Sequence, residues 1–144
     1  MRIFVAGAGG EIARRLLPQL IGRGHQVVAA TPSADEVRAL CALGAHGVVM
    51  DGLDAGSVGE TVARAEPDAV IHLCFDEQSF RTDELQTTGN DHLLAAAAAV
   101  GVRRFVALDL DDAVSATVAV LERAVPGVYR VGVTGVRGRS SQRP

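Results

Sequence analysis

No lysine occurs anywhere in the 144 residues: all fourteen basic side chains are arginines, and tyrosine is present once, at Tyr129. Chemistry that needs a lysine amine, or a tyrosine and lysine spaced Tyr-x-x-x-Lys on one helix, cannot be supplied by this polypeptide whatever its fold. Cysteine is nearly as scarce. Cys41 and Cys74 are too few for a disulfide framework and lack metal-ligand spacing, so both are expected as small buried hydrophobes and no metal site is expected. Positive charge is in short supply as well: a net charge of −3 and a pI near 5.7 remove any general electrostatic drive toward nucleic acid or an anionic membrane. Long apolar runs are missing too. Hydrophobic residues make up 48% of the chain, but polar or glycine-containing stretches interrupt them before any run is long enough to cross a bilayer. The start, Met1-Arg2-Ile3-Phe4-Val5-Ala6-Gly7, enters a strand and turn with no signal-peptide pattern, so the expectation is a soluble, cytoplasmic protein.

What is present is a regular alternation. A chain of this length fits one domain that buries roughly 70% of its unfolded surface without staples. Short apolar runs predict six strands: Arg2 to Ala6, Gln26 to Ala30, Gly47 to Met50, Ala69 to Cys74, Arg104 to Leu108 and Val128 to Val133. Segments of helical period lie between them. Glu11 to Gly22 sets Ile12, Leu16, Leu20 and Ile21 on one face; Ala34 to Leu43 gathers Val37, Leu40 and Ala42, with Ser33 as its cap and Gly44 as its stop. Ser57 to Ala65, Glu84 to Val100 and Asp112 to Ala124 complete the set, with Gly101 ending the fourth. Right-handed crossovers then give an α/β fold of three layers, a doubly wound six-stranded parallel sheet of order 3-2-1-4-5-6. Its ligand crevice lies beyond the carboxyl ends of the first and fourth strands. The domain is expected over residues 1–136, with residues 137–144 as a polar, frayed tail.

The first strand leads into Ala6-Gly7-Ala8-Gly9-Gly10-Glu11-Ile12-Ala13. Gly7 permits a tight turn, Gly10 lets a phosphate approach backbone N–H groups at a helix start, and the small Ala13 permits close packing of helix on strand. The fitting spacing is Gly7, Gly10 and Ala13, because Ile12 takes the last position of the common G-x-G-x-x-G form. Any tight βα turn also uses glycine for packing alone, so nucleotide binding and a merely structural turn are both open here. Glu11 stabilises a helix start but repels a nearby phosphate if it points inward. The second strand ends Ala29-Ala30-Thr31-Pro32-Ser33, offering no acid for a ribose diol and no adjacent arginine for a 2′-phosphate, so neither NAD nor NADP is selected.

With these residues in view, the chain resembles the extended and atypical short-chain dehydrogenase/reductase group, the NAD(P)-dependent epimerase/dehydratase family of the Rossmann type. The opening turn GAGGEIA is similar to the family's GATGFIG. Gly24-His25-Gln26-Val27-Val28, Leu43-Gly44-Ala45, Asp51-Gly52-Leu53-Asp54 and Ala69-Val70-Ile71-His72-Leu73 follow in the family's order. Gly89-Asn90-Asp91-His92-Leu93-Leu94 resembles its fourth helix, and Gly101-Val102-Arg103-Arg104-Phe105-Val106 its entry to strand five. The resemblance runs from Met1 to Leu108 and resumes weakly over Val128 to Gly138; the family's substrate-binding part is not in the chain. It implies that Gly7, Gly10 and Ala13 hold a pyrophosphate, that Asp51 and Leu53 lie near adenine, and that Leu73, Cys74 and Phe75 lie beside the ribose and nicotinamide. Asp51-Gly52 is equally a turn in its own right. Related proteins often pair through the fourth and fifth helices, so a homodimer is implied too.

The same resemblance places Ser or Thr and then Tyr-x-x-x-Lys after the fifth strand, where this chain reads Ala107-Leu108-Asp109-Leu110-Asp111-Asp112-Ala113-Val114-Ser115. Candidate replacements are Asp109 and Asp111 at that rim and His72 at the end of strand four, as acids and an imidazole converging on the crevice. Each has a plainer alternative: the aspartates as helix caps or loop anchors, His72 as a hydrogen-bonded core histidine, Cys74 as packing rather than nucleophile. Three function classes follow. They are a small enzyme with altered, non-Tyr/Lys chemistry on a small molecule, a silent dinucleotide-sensing module like the redox-sensing nitrogen-metabolite-repression regulators, and a scaffold with a vestigial cofactor turn.

Overall fold

A computed structural model describes residues 1–8, 11–73, 88–108, 118, 122, 126–132 and 135–140. The strands are β1 (Arg2–Ala6), β2 (Gln26–Thr31), β3 (His46–Val49), β4 (Ala69–Leu73), β5 (Arg104–Leu108), β6 (Gly127–Gly132) and β7 (Gly135–Ser140). The described helices are α1 (Glu11–Gly22), α2 (Ala34–Ala42), α3 (Ala55–Ala65) and α4 (Asn90–Ala99). Six parallel strands take the order 3-2-1-4-5-6, as the alternation predicts.

Period-2 alternation divides the core into two layers. Ile3 and Val5 of β1 and Ala69, Ile71 and Leu73 of β4 face α1 and α2, packing with Ile12, Leu16, Leu20 and Leu40. Phe4, Ala6 and Val70 face the other way, onto Val58 and Val62 of α3 and Leu93 and Ala97 of α4. Both faces of β1 and β4 are therefore covered, which is why these strands read as continuous apolar runs rather than as alternating ones. Helix α2 departs from expectation. Its buried stripe is Leu40, flanked by half-buried Val37 and Leu43, while Ala42 and Cys41 are exposed. Cys41 lies about 100° round the helix from Leu40 and so falls off the stripe, correcting the buried cysteine expected there.

A seventh strand corrects the expected frayed tail. β7 pairs antiparallel with β6, in a register running from Gly132 opposite Gly135 to Gly127 opposite Ser140. Arg137 to Ser140 thus extend the sheet. An edge strand needs no apolar run, since backbone hydrogen bonds carry it and charged residues suit an exposed edge; the arginine-rich stretch therefore gives no hydrophobic signal.

Helix α3 starts two residues earlier than the apolar pattern indicates, because Asp54 caps it: its Oδ1 accepts from the N–H groups of Gly56 at 2.9 Å and Ser57 at 3.1 Å. Asp54→Ala is expected to cost about 1 kcal/mol, the usual worth of an N-cap carboxylate, and urea unfolding measures it directly. A loss below a few tenths would mean that water satisfies this helix end equally well.

Candidate functional site

The register aligns Ala6 of β1 with Ala30 of β2 on one side and His72 of β4 on the other. Gly7 is the first residue past this row, at the switch point where successive connections leave in opposite directions along the sheet. Its φ is +77°, and a Cβ built there would lie 2.5 Å from the Leu73 carbonyl oxygen, so only glycine allows β1 to turn against the end of β4. The next N–H, of Ala8, donates to the Ala30 carbonyl at 2.9 Å, tying the turn to β2 as well. Gly9 and Gly10 lie outside the described residues. Helix α1 then begins at Glu11, with Ile12 and Ala13 buried against the sheet. Ala13 is 0% exposed, so the helix start is held close to the strands, the packing that a small residue at this position permits.

Thr31, at the end of β2, is buried. Its carbonyl accepts from the Met50 N–H at 2.9 Å and so fixes the end of β3. From there Asp51-Gly52-Leu53 runs toward α4. Asp51 Oδ1 accepts from the Leu53 N–H at 3.0 Å, closing a turn, while the Asp51 N–H lies 3.4 Å from Ser57 Oγ. His92 Nδ1 donates to the Gly52 carbonyl at 3.2 Å, which pins the loop to α4. Asp51 is exposed and Gly52 and Leu53 are half-buried, so this loop forms a firm wall on the β3 side of the crevice.

On the β4 side, Leu73 packs in the core beside Gly7, and His72 is 5% exposed with Nδ1 3.0 Å from Asn90 Oδ1 at the start of α4. That is the placement of a hydrogen-bonded core histidine at the rim. Cys74, Phe75, Asp109 and Asp111 lie outside the described residues. Among the sequence-singled positions, the structure brings Gly7, Thr31 and Leu73 to the crevice mouth, buries Ile12 and Ala13 behind it, and sets Asp51 to Leu53 along one side.

Sequence reasoning missed Glu36. Its Oε2 accepts from Thr31 Oγ1 at 2.6 Å, placing a carboxylate at the end of β2, where an acid was expected to be missing. The signal was the spacing Ser33-Ala34-Asp35-Glu36, a helix cap followed three residues later by glutamate, which turns that side chain back toward the preceding strand. Here the back-bond runs through Thr31: its hydroxyl oxygen also accepts from the Ser33 N–H at 3.3 Å, and Ser33 makes no side-chain cap of its own.

A groove of about 830 Å³ lies at the opposite, amino ends of the strands, lined by Arg2, Gln26, Val28, His46, Val48 and Arg64 among others. Its arginines are engaged, Arg2 with Glu66 at 3.2 Å and Arg64 with Glu60 at 2.6 Å. Ligands of open α/β sheets sit outside the carboxyl ends, so the crevice at Gly7, not this groove, is the candidate site. No group of metal-ligating side chains occurs among the described residues. None of the described helices is long and apolar enough to cross a membrane.

A glycine turn at the switch point of a doubly wound parallel sheet, leading into a helix whose start faces the crevice, defines a dinucleotide-binding Rossmann domain. The chain belongs to the NAD(P)H-binding family, whose model matches residues 7–135. It is 37% identical over 122 residues to a 3-diazoavenalumate denitrifying reductase from a Streptomyces species, an alignment covering 74% of this chain and 37% of that one. Among solved structures it is similar to a Bacillus halodurans protein described as a "putative NAD-dependent epimerase/dehydratase", with 26% identity, a TM-score of 0.63, and 76% and 51% of the two chains covered. The Bordetella bronchiseptica enzyme WbmH in complex with NAD+ matches at 22% identity and TM-score 0.61, covering 75% and 38%. Yeast methylglyoxal/isovaleraldehyde reductase Gre2, complexed with NADPH, matches at 21% and 0.62, covering 76% and 37%. The chain thus spans little more than a third of the curated relative's length. Family and cofactor class agree with the resemblance drawn from the sequence, and the residues present fit the group: the turn at Gly7 has no room for a side chain and α1 starts directly behind it.

Proposed function

We propose that this chain binds NAD(P)H at the carboxyl ends of β1, β2 and β4 and serves reductase-type chemistry, a hydride passing to a small-molecule acceptor without a tyrosine–lysine pair. The observation that carries it is the Gly7 turn, built against Leu73 and Ala30 at the carboxyl end of β1. Gly7, Gly10 and the start of α1 would hold the diphosphate, Asp51 to Leu53 would flank the adenine, and Leu73 would underlie the nicotinamide side. The cofactor, when bound, supplies the hydride; the chain binds and orients it.

Lysine is absent and the one tyrosine lies on β6, so the acceptor best suited to this chain is one that needs no proton donor. A diazonium carbon is such an acceptor: the hydride pair forms the C–H bond, the C–N pair leaves with N2, and no proton is required. The name of the Streptomyces reductase, a denitrifying enzyme for a diazo compound, supports this class. Asp109, Asp111 and His72 remain the proposed rim groups for any proton transfer. A silent sensor is the second reading, favoured by the same missing pair.

A homodimer in the cytoplasm belongs to the same proposal. The outer face of α4 exposes Ala95, Ala98 and Ala99, small enough for close helix approach, and the exposed thiol of Cys41 suits a reducing compartment.

Titrating NAD, NADH, NADP and NADPH while following thermal unfolding tests the proposal. A bound dinucleotide at a hundred times its Kd stabilises by about 2.7 kcal/mol, and Gly10→Asp, which sets a carboxylate against the diphosphate, is expected to remove the shift. No shift with any of the four at millimolar concentration would leave only the scaffold. Differing affinities for oxidised and reduced forms, with no turnover of diazo or carbonyl acceptors, would establish the sensor.

A further inference from the structure

We infer that Glu36, held at the end of β2 by Thr31, is the acceptor for the adenosine ribose diol and makes this chain select NAD(H) over NADP(H). The inference rests on dinucleotide binding at the Gly7 turn and goes beyond it, because the family and its solved relatives include both cofactors.

Position comes first. The Ala8 N–H donates to the Ala30 carbonyl, so the phosphate turn and the end of β2 are adjacent, and Thr31 is the next residue along β2. In a fold of this type the ribose nearest the adenine lies beside that strand end. Thr31 itself is buried, and its hydroxyl donates to Glu36 Oε2 at 2.6 Å. The half-buried Glu36 carboxylate therefore stands where an acid at the strand end would stand, carried there from the first turn of α2.

Bonding capacity comes next. An ionised carboxylate accepts about four hydrogen bonds over its two oxygens, and Thr31 takes one of them on Oε2. Oε1 is left to accept from vicinal hydroxyls, which donate in pairs. The Thr31 bond fixes the rotamer beforehand, so less conformational freedom is lost when the diol arrives.

Charge decides the selectivity. A 2′-phosphate would meet Glu36 directly and Asp35 beside it, both in the first turn of α2. The helix N-terminus favours an anion, but these two carboxylates already occupy that field, and like charges at contact distance repel. Arg38 is two residues from Glu36, on the far side of the helix, and does not offset them.

The test is direct titration of the purified chain with NADH and NADPH, following nicotinamide fluorescence, for wild type, Glu36→Gln and Thr31→Val. Wild type is expected to bind NADH about tenfold more tightly or better, and Glu36→Gln to weaken NADH by about tenfold, the worth of one charge-assisted hydrogen bond. NADPH affinity should hold or improve in that variant. Thr31→Val, which keeps shape but frees the carboxylate, should weaken NADH with little change for NADPH. A purely capping role for Glu36 would lower the melting temperature and leave the NADH to NADPH ratio unchanged, which overturns the inference. Equal or tighter NADPH binding by wild type does so too, while dinucleotide binding stands. Failure of both nucleotides to bind any form overturns the underlying function together with it.

Discussion

Gly7→Ala is expected to cost about 3 kcal/mol or more of folding stability and to abolish dinucleotide binding in whatever fraction remains folded. Two independent terms combine. A left-handed φ of +77° costs an L-residue about 1–2 kcal/mol by itself. The added methyl would also sit 2.5 Å from the Leu73 carbonyl oxygen, a backbone atom on a strand hydrogen-bonded on both sides, so it has no side-chain freedom with which to give way. Relief requires the turn to swing away from β4, and the same swing strains the 2.9 Å bond from Ala8 to Ala30 and opens the phosphate mouth. Urea unfolding measures the first effect and NADH titration below the transition measures the second. Gly59→Ala is the control. That glycine is inside α3, a methyl there meets nothing within 4 Å, and the change should be neutral or stabilising by up to about 1 kcal/mol. A Gly7→Ala protein as stable and as competent as wild type would remove the structural basis of the proposed site.

The sequence makes the frame of this site legible because burial on both faces leaves a loud signal. β1 and β4 are buried from one end nearly to the other, and such strands show as unbroken apolar runs. Strand order then follows from chirality and from the short connections, and Gly7 is marked by its place between a strand and a helix. Three features were harder to see, each for its own reason. β7 is carried by backbone pairing at an edge, and its arginines resemble those of a solvated tail. Cys41 is assigned to the core by residue type, while helical angle puts it outside. Glu36 acts five residues away from the position at which an acid is normally sought, since a hydroxyl on the strand and a carboxylate on the helix together do what a single strand-end acid does elsewhere. The first two are failures of a one-dimensional signal; the third is a tertiary contact that capping spacing foreshadows. Gly10, Cys74, Phe75, Asp109 and Asp111 lie outside the described residues, so their assignment rests on sequence pattern and resemblance alone.

Phe4→Ala is expected to destabilise the domain by about 3–5 kcal/mol, lowering the thermal midpoint by roughly ten degrees or more at this chain length. Phe4 is 0% exposed and is the largest fully buried side chain in the described structure. It lies in the core layer formed with Val58 and Val62 of α3, Leu93 of α4, Val70 of β4 and Phe105 of β5. Truncation leaves a void in the layer between these helices and the sheet, and such walls relax little because each strand is fixed by its neighbours. The consequence reaches the crevice. Helix α4 holds the Asp51–Asp54 loop through His92 and Gly52, and its first residue, Asn90, holds His72. Loosening the Phe4 layer therefore loosens both walls of the cofactor mouth. NADH binding by Phe4→Ala should weaken even where the protein is fully folded, whereas saturating NADH should recover part of the lost midpoint through linkage. The discriminating pair of measurements is the urea midpoint and the NADH Kd at 10 °C. A stability loss below about 1 kcal/mol would mean that α3 and α4 do not close over β1, and an unchanged Kd would mean that the crevice walls stand independently of the core beneath them.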